Sequence, residues 1–289
     1  MSAPNRKVAV VTDSAAALTR EQIVEHELFV PRMEITIDGN TLIDGANAEL
    51  SDFYTRLATS TGAIPTTSAP KPAEYLEKFR SAAGLADNVF CVSVSAKLSA
   101  AYDAARVGAE LFSKEQSSAE VRIFDSETAA SSQALIVLAA ARCAEAGCSL
   151  DEVEAAANHV AEKVRLLAML DTLRFIHRSG RVPKIAVWAT SALNIKPVME
   201  YSTNRIGAIA RPRSAERAIG RIQSEMLDDL QGKTAHVNVM HAGAPERAEI
   251  LRSWVSENLD YVELFVTQFH PFMGAHTGPG LVGASWWAE

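Results

Sequence analysis

Cysteine is scarce in this chain, at three residues in 289. The odd count, with no Cys-x-x-Cys pair and no clustered histidine partner, excludes a zinc ribbon and points away from a disulfide framework. Cys91 stands in an apolar run, and Cys143 and Cys148 lie five apart in an alanine-rich one. All three are expected as packing residues in a reducing compartment. No apolar stretch reaches the about 20 residues that a transmembrane helix needs, and Met1 to Lys7 lack the apolar centre of a signal peptide. A cytoplasmic location without stable membrane insertion is the expectation. Positive charge is also short, since 28 Lys+Arg against 35 Asp+Glu leave a net charge of −7. That excludes the broad basic surface on which nucleic-acid binding depends. With no Gly-x-x-x-x-Gly-Lys loop and no metal-ligand cluster in the sequence, no cofactor and no metal are expected on this chain.

What is present reads as alternating strand and helix. Lys7 to Val11, Val89 to Val94 and Val121 to Phe124 are short apolar runs, each closed by polar residues (Thr12-Asp13-Ser14, Ser95, Asp125-Ser126) and each followed by a helical pattern. Three such units predict a parallel sheet with its polar strand ends on one edge. The turn from Ser95 to Ser99 is the centre of this arrangement. Unpaired N–H groups and a helix dipole favour an anion at such a strand-to-helix turn, so its hydroxyls would hold a carboxylate or phosphate; capping the helix is the other reading.

Thr19 and Gln22 have capping-box spacing. Met33, Ile35 and Ile37 alternate as a strand before a tight turn at Asp38-Gly39, and Ser51 is expected to cap a helix to Thr59 with Phe53, Tyr54 and Leu57 inward. Between Pro65 and Pro72 the prolines exclude helix and central strand, so Thr66, Thr67 and Ser68 are expected on a stiff loop. Ser68-x-x-Lys71 formally matches a serine acyl-enzyme motif, but Pro70 and Pro72 interrupt the helix it needs.

The pattern changes near residue 164, which predicts α/β domains over 1–164 and 165–289. In the second, Leu166 to Leu170 is a strand, a short helix precedes Leu193, and a hairpin turns at Thr203-Asn204. Long helices then alternate with strands at 235–241 and 262–268. Arg178, Arg181, Lys196, Arg211 and Arg213 concentrate positive charge in an acidic chain. Gly278, Gly280 and Gly283 have Gly-x-Gly-x-x-Gly spacing, but no helix or distal acid follows, so a dinucleotide site is excluded. The glycines instead predict a tight backbone that brings His276 and bare N–H groups to a ligand.

Taken together, V-T-D-S at 11–14, P-T-T-S at 65–68, S-A-K-L-S at 95–99 with Tyr102, F-D-S at 124–126, D-T-L at 171–173, G-R at 180–181, L-N-I-K-P at 193–197 and H-T-G-P-G at 276–280 resemble the DegV family from about Lys7 to Trp286. The resemblance implies two α/β domains, the first with a mainly parallel sheet, and a ligand tunnel at and beneath the domain interface that encloses one long-chain fatty acid. It implies a non-enzymatic role as the acyl-binding subunit of a bacterial fatty acid kinase, whose separate ATP-binding subunit phosphorylates the carboxylate for phospholipid synthesis. By position, Thr67, Ser68 and one of Ser95 and Ser99 would bind the carboxylate with His276 beside them, and Arg181 and Arg211 would lie near the head-group or the kinase-docking surface. The chain departs from the family pattern at Ala69, Lys71, Ala96, Ala100 and Ala101, which removes candidate hydroxyls. Two other classes stay open on the residues alone: a serine hydrolase or acyltransferase using Ser95 or Ser99 with His276 and Asp13 or Asp125, and a carrier or sensor of another amphiphile.

Overall fold

The computed structural model of the chain describes residues 6–37, 39–43, 50–59, 65–115, 118–181, 195–203 and 205–289. In chain order the strands are β1 (Arg6–Thr12), β2 (Glu34–Ile37), β3 (Asn40–Ile43), β4 (Thr66–Ser68), β5 (Ala86–Ser93), β6 (Val121–Asp125), β7 (Arg165–Met169), β8 (Val198–Ser202), β9 (Arg205–Ala210), β10 (Ala235–His241), β11 (Tyr261–Gln268) and β12 (Val282–Ala288). The helices are α1 (Arg20–Glu25), α2 (Leu50–Thr59), α3 (Pro72–Ala83), α4 (Ala101–Ser113), α5 (Ala130–Glu145), α6 (Leu150–Lys163), α7 (Arg174–Ser179), α8 (Ala215–Leu230), α9 (Pro245–Asn258) and α10 (Pro271–Thr277). Among the described residues, no helix is long and apolar enough to cross a membrane.

The chain divides into two compact units, Met1–Glu34 with Ser68–Glu162, and Ile35–Thr67 with Lys163–Glu289. Two continuous domains would have left residues 35–67 in the first unit, yet they belong with the second. The cause is long-range: the Tyr54 hydroxyl of α2 donates to the Phe269 carbonyl at 2.8 Å.

In the first unit β1, β5 and β6 form a parallel sheet in that order. Ala9, Val11, Val89 and Cys91 on one face meet Tyr75 and Phe79 of α3 and Ala105 and Phe112 of α4. Each large side chain buried here contributes about 1.5–3 kcal/mol. Local signals shape the ends of the helices. Thr19 Oγ1 accepts from the Gln22 N–H at 3.2 Å while Gln22 Oε1 accepts from the Thr19 N–H at 3.0 Å, a complete capping box. Ser149 and Glu152 close α6 in the same reciprocal way.

Cys143 and Cys148 are not separate packing residues, because they form a disulfide, with Cα atoms 5.5 Å apart. The helical spacing assumed for them fails because α5 stops at Glu145 and Gly147 turns the chain with φ +82°. Cys91 is free and buried.

The second unit is built on a mixed six-stranded sheet in the order β11-β10-β12-β7-β8-β9. β10 and β11 are parallel; β12 runs antiparallel to both β10 and β7. Val237, Val239, Leu167, Met169, Ala284 and Trp286 pack with Ile219, Ile222 and Met226 of α8 and Leu251 and Val255 of α9. Arg165 is held in this unit by Glu200 at 2.9 Å and Glu225 at 3.1 Å.

Three local expectations change. α2 begins at Leu50, so Ser51 lies inside it and not at its cap. Thr66 to Ser68 form an outer strand of a small sheet ordered β3-β2-β4, a place the flanking prolines allow because an edge strand needs fewer donors. His276 sits on a helix, α10, and not in a turn. The helix expected before Leu193 lies outside the described residues, as do Asp38 and Asn204 of the two predicted hairpin turns.

Candidate functional site

The carboxyl ends of β1, β5 and β6 carry Thr12, Asp13, Ser93, Ser95 and Ser126, all buried. Asp13 organises them. Its Oδ2 accepts from the Val94 N–H at 2.8 Å and the Ser93 hydroxyl at 3.2 Å; its Oδ1 accepts from the Ala15 N–H at 3.1 Å and the Gln133 amide at 3.2 Å. Burial pushes the carboxyl pKa up, and the bonds from Val94, Gln133, Ala15 and Ser93 oppose that shift. Asp13→Asn would set an NH2 group against the Val94 N–H, and an orphaned buried donor costs about 1–3 kcal/mol. Urea unfolding of the variant is expected to show a loss of that size; an unchanged midpoint would mean that the carboxylate is not needed as a four-fold acceptor.

The turn after β5 is more self-contained than the sequence suggests. The Ala96 N–H donates to the Asp125 carboxylate at 3.3 Å, the Lys97 N–H to Ser95 Oγ at 3.3 Å, and the Leu98 and Ser99 N–H groups to the Ser95 carbonyl at 2.9 and 3.2 Å. The Ala101 N–H donates to Ser99 Oγ at 3.2 Å. These backbone donors are therefore used within the turn, and both serines act locally as caps. Each hydroxyl still has its proton to give. Ser95 is fully buried whereas Ser99 is half-buried, so Ser99 is the one open to a ligand.

In the second unit the structure brings together Thr67, His276 and Arg181. His276 lies in the last turn of α10, which Pro271 starts and Gly278 ends, with the Phe272 ring edge-on at 5.4 Å one turn earlier. Its Nε2 is 2.8 Å from Thr67 Oγ1, and its Nδ1 is 3.3 Å from Arg181 Nη1. Because a guanidinium can only donate, Nδ1 must accept and the ring proton must sit on Nε2. Thr67 Oγ1 therefore accepts from Nε2–H, and its own proton points onward. The order of donation is fixed, from Arg181 to His276 to Thr67. Burial, and secondarily the Arg181 charge, holds the imidazole neutral with its pKa lowered to about 3.

A ring so placed is unsuited to serve as the base of a hydrolase, which needs a carboxylate at Nδ1 and not a cation. Asp13 and Asp125 are engaged by the local donors described above. Ser68 is exposed at the end of β4, and Arg211 is exposed just past β9. The bare N–H groups expected at the terminal glycines are paired, Gly278 with the Gly274 carbonyl at 2.8 Å and Gly280 with the Ala242 carbonyl at 2.7 Å.

The sequence reading passed over one supporting residue. Tyr54 lies over Gly274 of α10, where an added Cβ would stand 2.5 Å from the tyrosine Oη, and over Gly243, where it would stand 2.6 Å from Tyr54 Cβ. The phenol thus fixes the helix that carries His276. The usable signal was a glycine inside a mostly apolar stretch opened by proline, Pro271 to Thr277, which marks a close approach and not a break.

A model of the DegV family, described as one of uncharacterised proteins, matches residues 7–289. The chain belongs to the DegV family. A DegV domain-containing protein of Streptomyces coelicolor is 32% identical over 281 residues, 96% of this chain and 98% of the relative. Among solved DegV folds, the fatty-acid-binding DegV family protein of Thermus thermophilus superposes with a TM-score of 0.90 at 24% identity, over 98% of this chain and 100% of that one. A stearic-acid-binding protein of Eubacterium ventriosum gives 0.88 at 23% identity, over 97% and 98%. These likenesses establish the DegV fold and identify structural neighbours that bind fatty acids.

Proposed function

We propose that this chain binds one long-chain fatty acid and presents its carboxylate to a separate ATP-dependent kinase subunit for acyl phosphate formation and phospholipid synthesis. The observation that carries the reading is the direction of the Arg181–His276–Thr67 chain, which ends in a hydroxyl proton without an acceptor among the described residues. A carboxylate is such an acceptor. An ammonium group, which can only donate, is not. Ser99 is the second candidate donor, Ser68 is a weaker one given its exposure, and Arg211 is assigned to docking of the kinase.

Affinity comes from the tail, since roughly 0.8 kcal/mol per buried CH2 makes a long chain worth on the order of 10 kcal/mol before ordering costs. The head needs orientation only. Neutral hydroxyl donors supply it without the tight ion pair that would blunt the carboxylate oxygen as nucleophile. In the transfer that oxygen bonds to the γ-phosphorus of ATP while the bond to the ADP oxygen breaks; the sequence has no phosphate loop for ATP, so ATP is assigned to the partner.

Mass spectrometry of an organic extract of the purified protein is expected to yield one fatty acid per chain. Thr67→Val keeps the shape and removes the donor, and losing a hydrogen bond to a charged group costs about 1.5–3 kcal/mol, a roughly ten- to hundred-fold weaker fatty acid affinity. A protein that carries no acyl chain and takes none up would overturn the binding reading. Failure to form acyl phosphate with a fatty acid kinase ATP-binding subunit and ATP, scored by hydroxylamine trapping, would overturn the presentation reading.

A further inference from the structure

The disulfide between Cys143 and Cys148 closes a turn that the backbone already closes without it. The Ala146 N–H donates to the Arg142 carbonyl at 3.0 Å, the Gly147 N–H to the Ala144 carbonyl at 3.0 Å and the Cys148 N–H to the Cys143 carbonyl at 3.1 Å, with Gly147 at φ +82°. The last two bonds and the left-handed glycine make a Schellman cap at the end of α5. In such a cap the side chains at the two ends of the longer bond are the ones that meet, as a rule in an apolar contact. Here those two side chains are the cysteines. Their Cα atoms stand 5.5 Å apart, a separation that suits a disulfide, so the bond can be made or opened with the cap in place.

We propose that Cys143 and Cys148 are a reversible dithiol–disulfide couple, a modification site for small-molecule thiols and disulfides that sets how firmly the end of α5 holds α1. Two observations separate it from a purely structural crosslink. Crosslinks that hold a fold together gain most by closing long loops, whereas this one joins residues five positions apart. Both cysteines are half-buried, so an attacking thiolate can reach the bond, while the fully buried Cys91 stays out of the exchange.

Glu145 lies inside the crosslinked turn and carries its effect outward. Its Oε1 is 2.8 Å from Nδ1 of His26, the residue that ends α1, and the His26 side chain is only 9% exposed. None of the six residues of α1 is buried, so this helix leans on contacts at its ends. With the disulfide formed, the last turn of α5 cannot unwind and Glu145 stays in line with His26. With the thiols free, the three hydrogen bonds alone hold the turn, and α1 is released more often.

In oxidation by a small disulfide R–S–S–R, one thiolate of the couple bonds to a sulfur of R–S–S–R and expels RS−. The second thiol, giving its proton to solvent, then bonds to the first protein sulfur and expels the other RS−. The couple loses two electrons and two protons, and R–S–S–R becomes two RSH.

Equilibration of the native protein across ratios of glutathione to glutathione disulfide, followed by denaturing alkylation and mass spectrometry, reads the couple. The expected result is a reversible passage from three alkylated cysteines to Cys91 alone, without a lasting glutathione adduct. The oxidation equilibrium is expected to be roughly thirty-fold more favourable in the folded chain than in urea. On reduction, amide hydrogen exchange is expected to quicken at residues 20–25 and 143–148; in Glu145→Ala and in His26→Ala only 143–148 should still respond. A bond that opens only when the chain unfolds overturns the proposal, as do thiols that stay reduced at every ratio and a stable glutathione adduct. Exchange at 20–25 that ignores the redox state, or that follows it unchanged in both variants, overturns the link to α1.

Discussion

Gly243→Ala is expected to destabilise the second unit by about 2–6 kcal/mol, the sum of a non-glycine residue forced into the left-handed region and of a methyl group driven into a filled space. The backbone at Gly243 has φ +61°, and a Cβ built there lies 2.6 Å from Tyr54 Cβ and 2.7 Å from Cγ. No rotation of the tyrosine relieves this, because those atoms belong to the root of its side chain and its hydroxyl is anchored on the Phe269 carbonyl. The two contributions can be separated. Tyr54→Gly alone is expected to cost about 4–6 kcal/mol, a large buried aromatic truncation plus a glycine inside α2, but in the Gly243→Ala background it also removes both clashing atoms, Cβ and Cγ. The double variant should therefore be more stable than the sum of the single losses by the steric part, leaving the backbone part unrecovered. Denaturant unfolding of the four proteins measures it, and strict additivity would show that Tyr54 and residue 243 do not share the space described.

The same contact explains what could and could not be read in the sequence. Thr19 with Gln22 was legible because a cap and its partner are three residues apart. The parallel strands ending in Thr12, Ser93 and Asp125 were legible from apolar runs closed by polar residues. Tyr54 read only as one of three apolar positions on a helix, since the glycines beneath it, Gly243 and Gly274, are 189 and 220 residues further on. That separation also hid the assignment of residues 35–67 to the second unit.

The site shows the same division. Thr67 and His276 were singled out separately, from a proline-rigid hydroxyl run and a glycine-rich end, and they meet at 2.8 Å. Arg181 was read as one of five residues that concentrate positive charge, and only the family resemblance set it, with Arg211, near the head-group or the kinase-docking surface. Nothing local distinguishes it from exposed Arg178; its role comes from being half-buried against the imidazole. The backbone donors at Ser95 to Ser99 were misread for an equally local reason, because Asp125 and the serines themselves satisfy them. Sequence locates hydroxyls well, but it does not say where their protons are directed.

That direction depends on His276 remaining neutral, which makes acid stability the sharpest test of the site. The ordinary histidine pKa is 6.5, and in the folded chain burial and then Arg181 lower it to about 3. The unfolded chain therefore takes up a proton on His276 as the pH falls below 6.5, while the folded chain does not until the pH approaches 3. Unfolding binds the proton, so the contribution of this residue is fully present above pH 6.5 and is lost progressively in acid, at about 1.4 kcal/mol per pH unit. Between pH 6.5 and 4 the expected loss is roughly 3 kcal/mol. Asp13 acts in the opposite sense: its pKa is raised, so protonation in acid favours the fold and partly offsets the loss. A single pH profile mixes the two, but His276→Gln removes only the first. Its Oε1 can still accept from Arg181, yet it has nothing to titrate. Its stability curve is expected to be flatter than that of the parent between pH 6.5 and 4 by roughly 3 kcal/mol, whatever its offset at pH 7. Parallel curves would mean that His276 titrates like an exposed histidine; the imidazole could then carry a proton on both nitrogens in mild acid, and Arg181 would no longer have a lone pair to donate to.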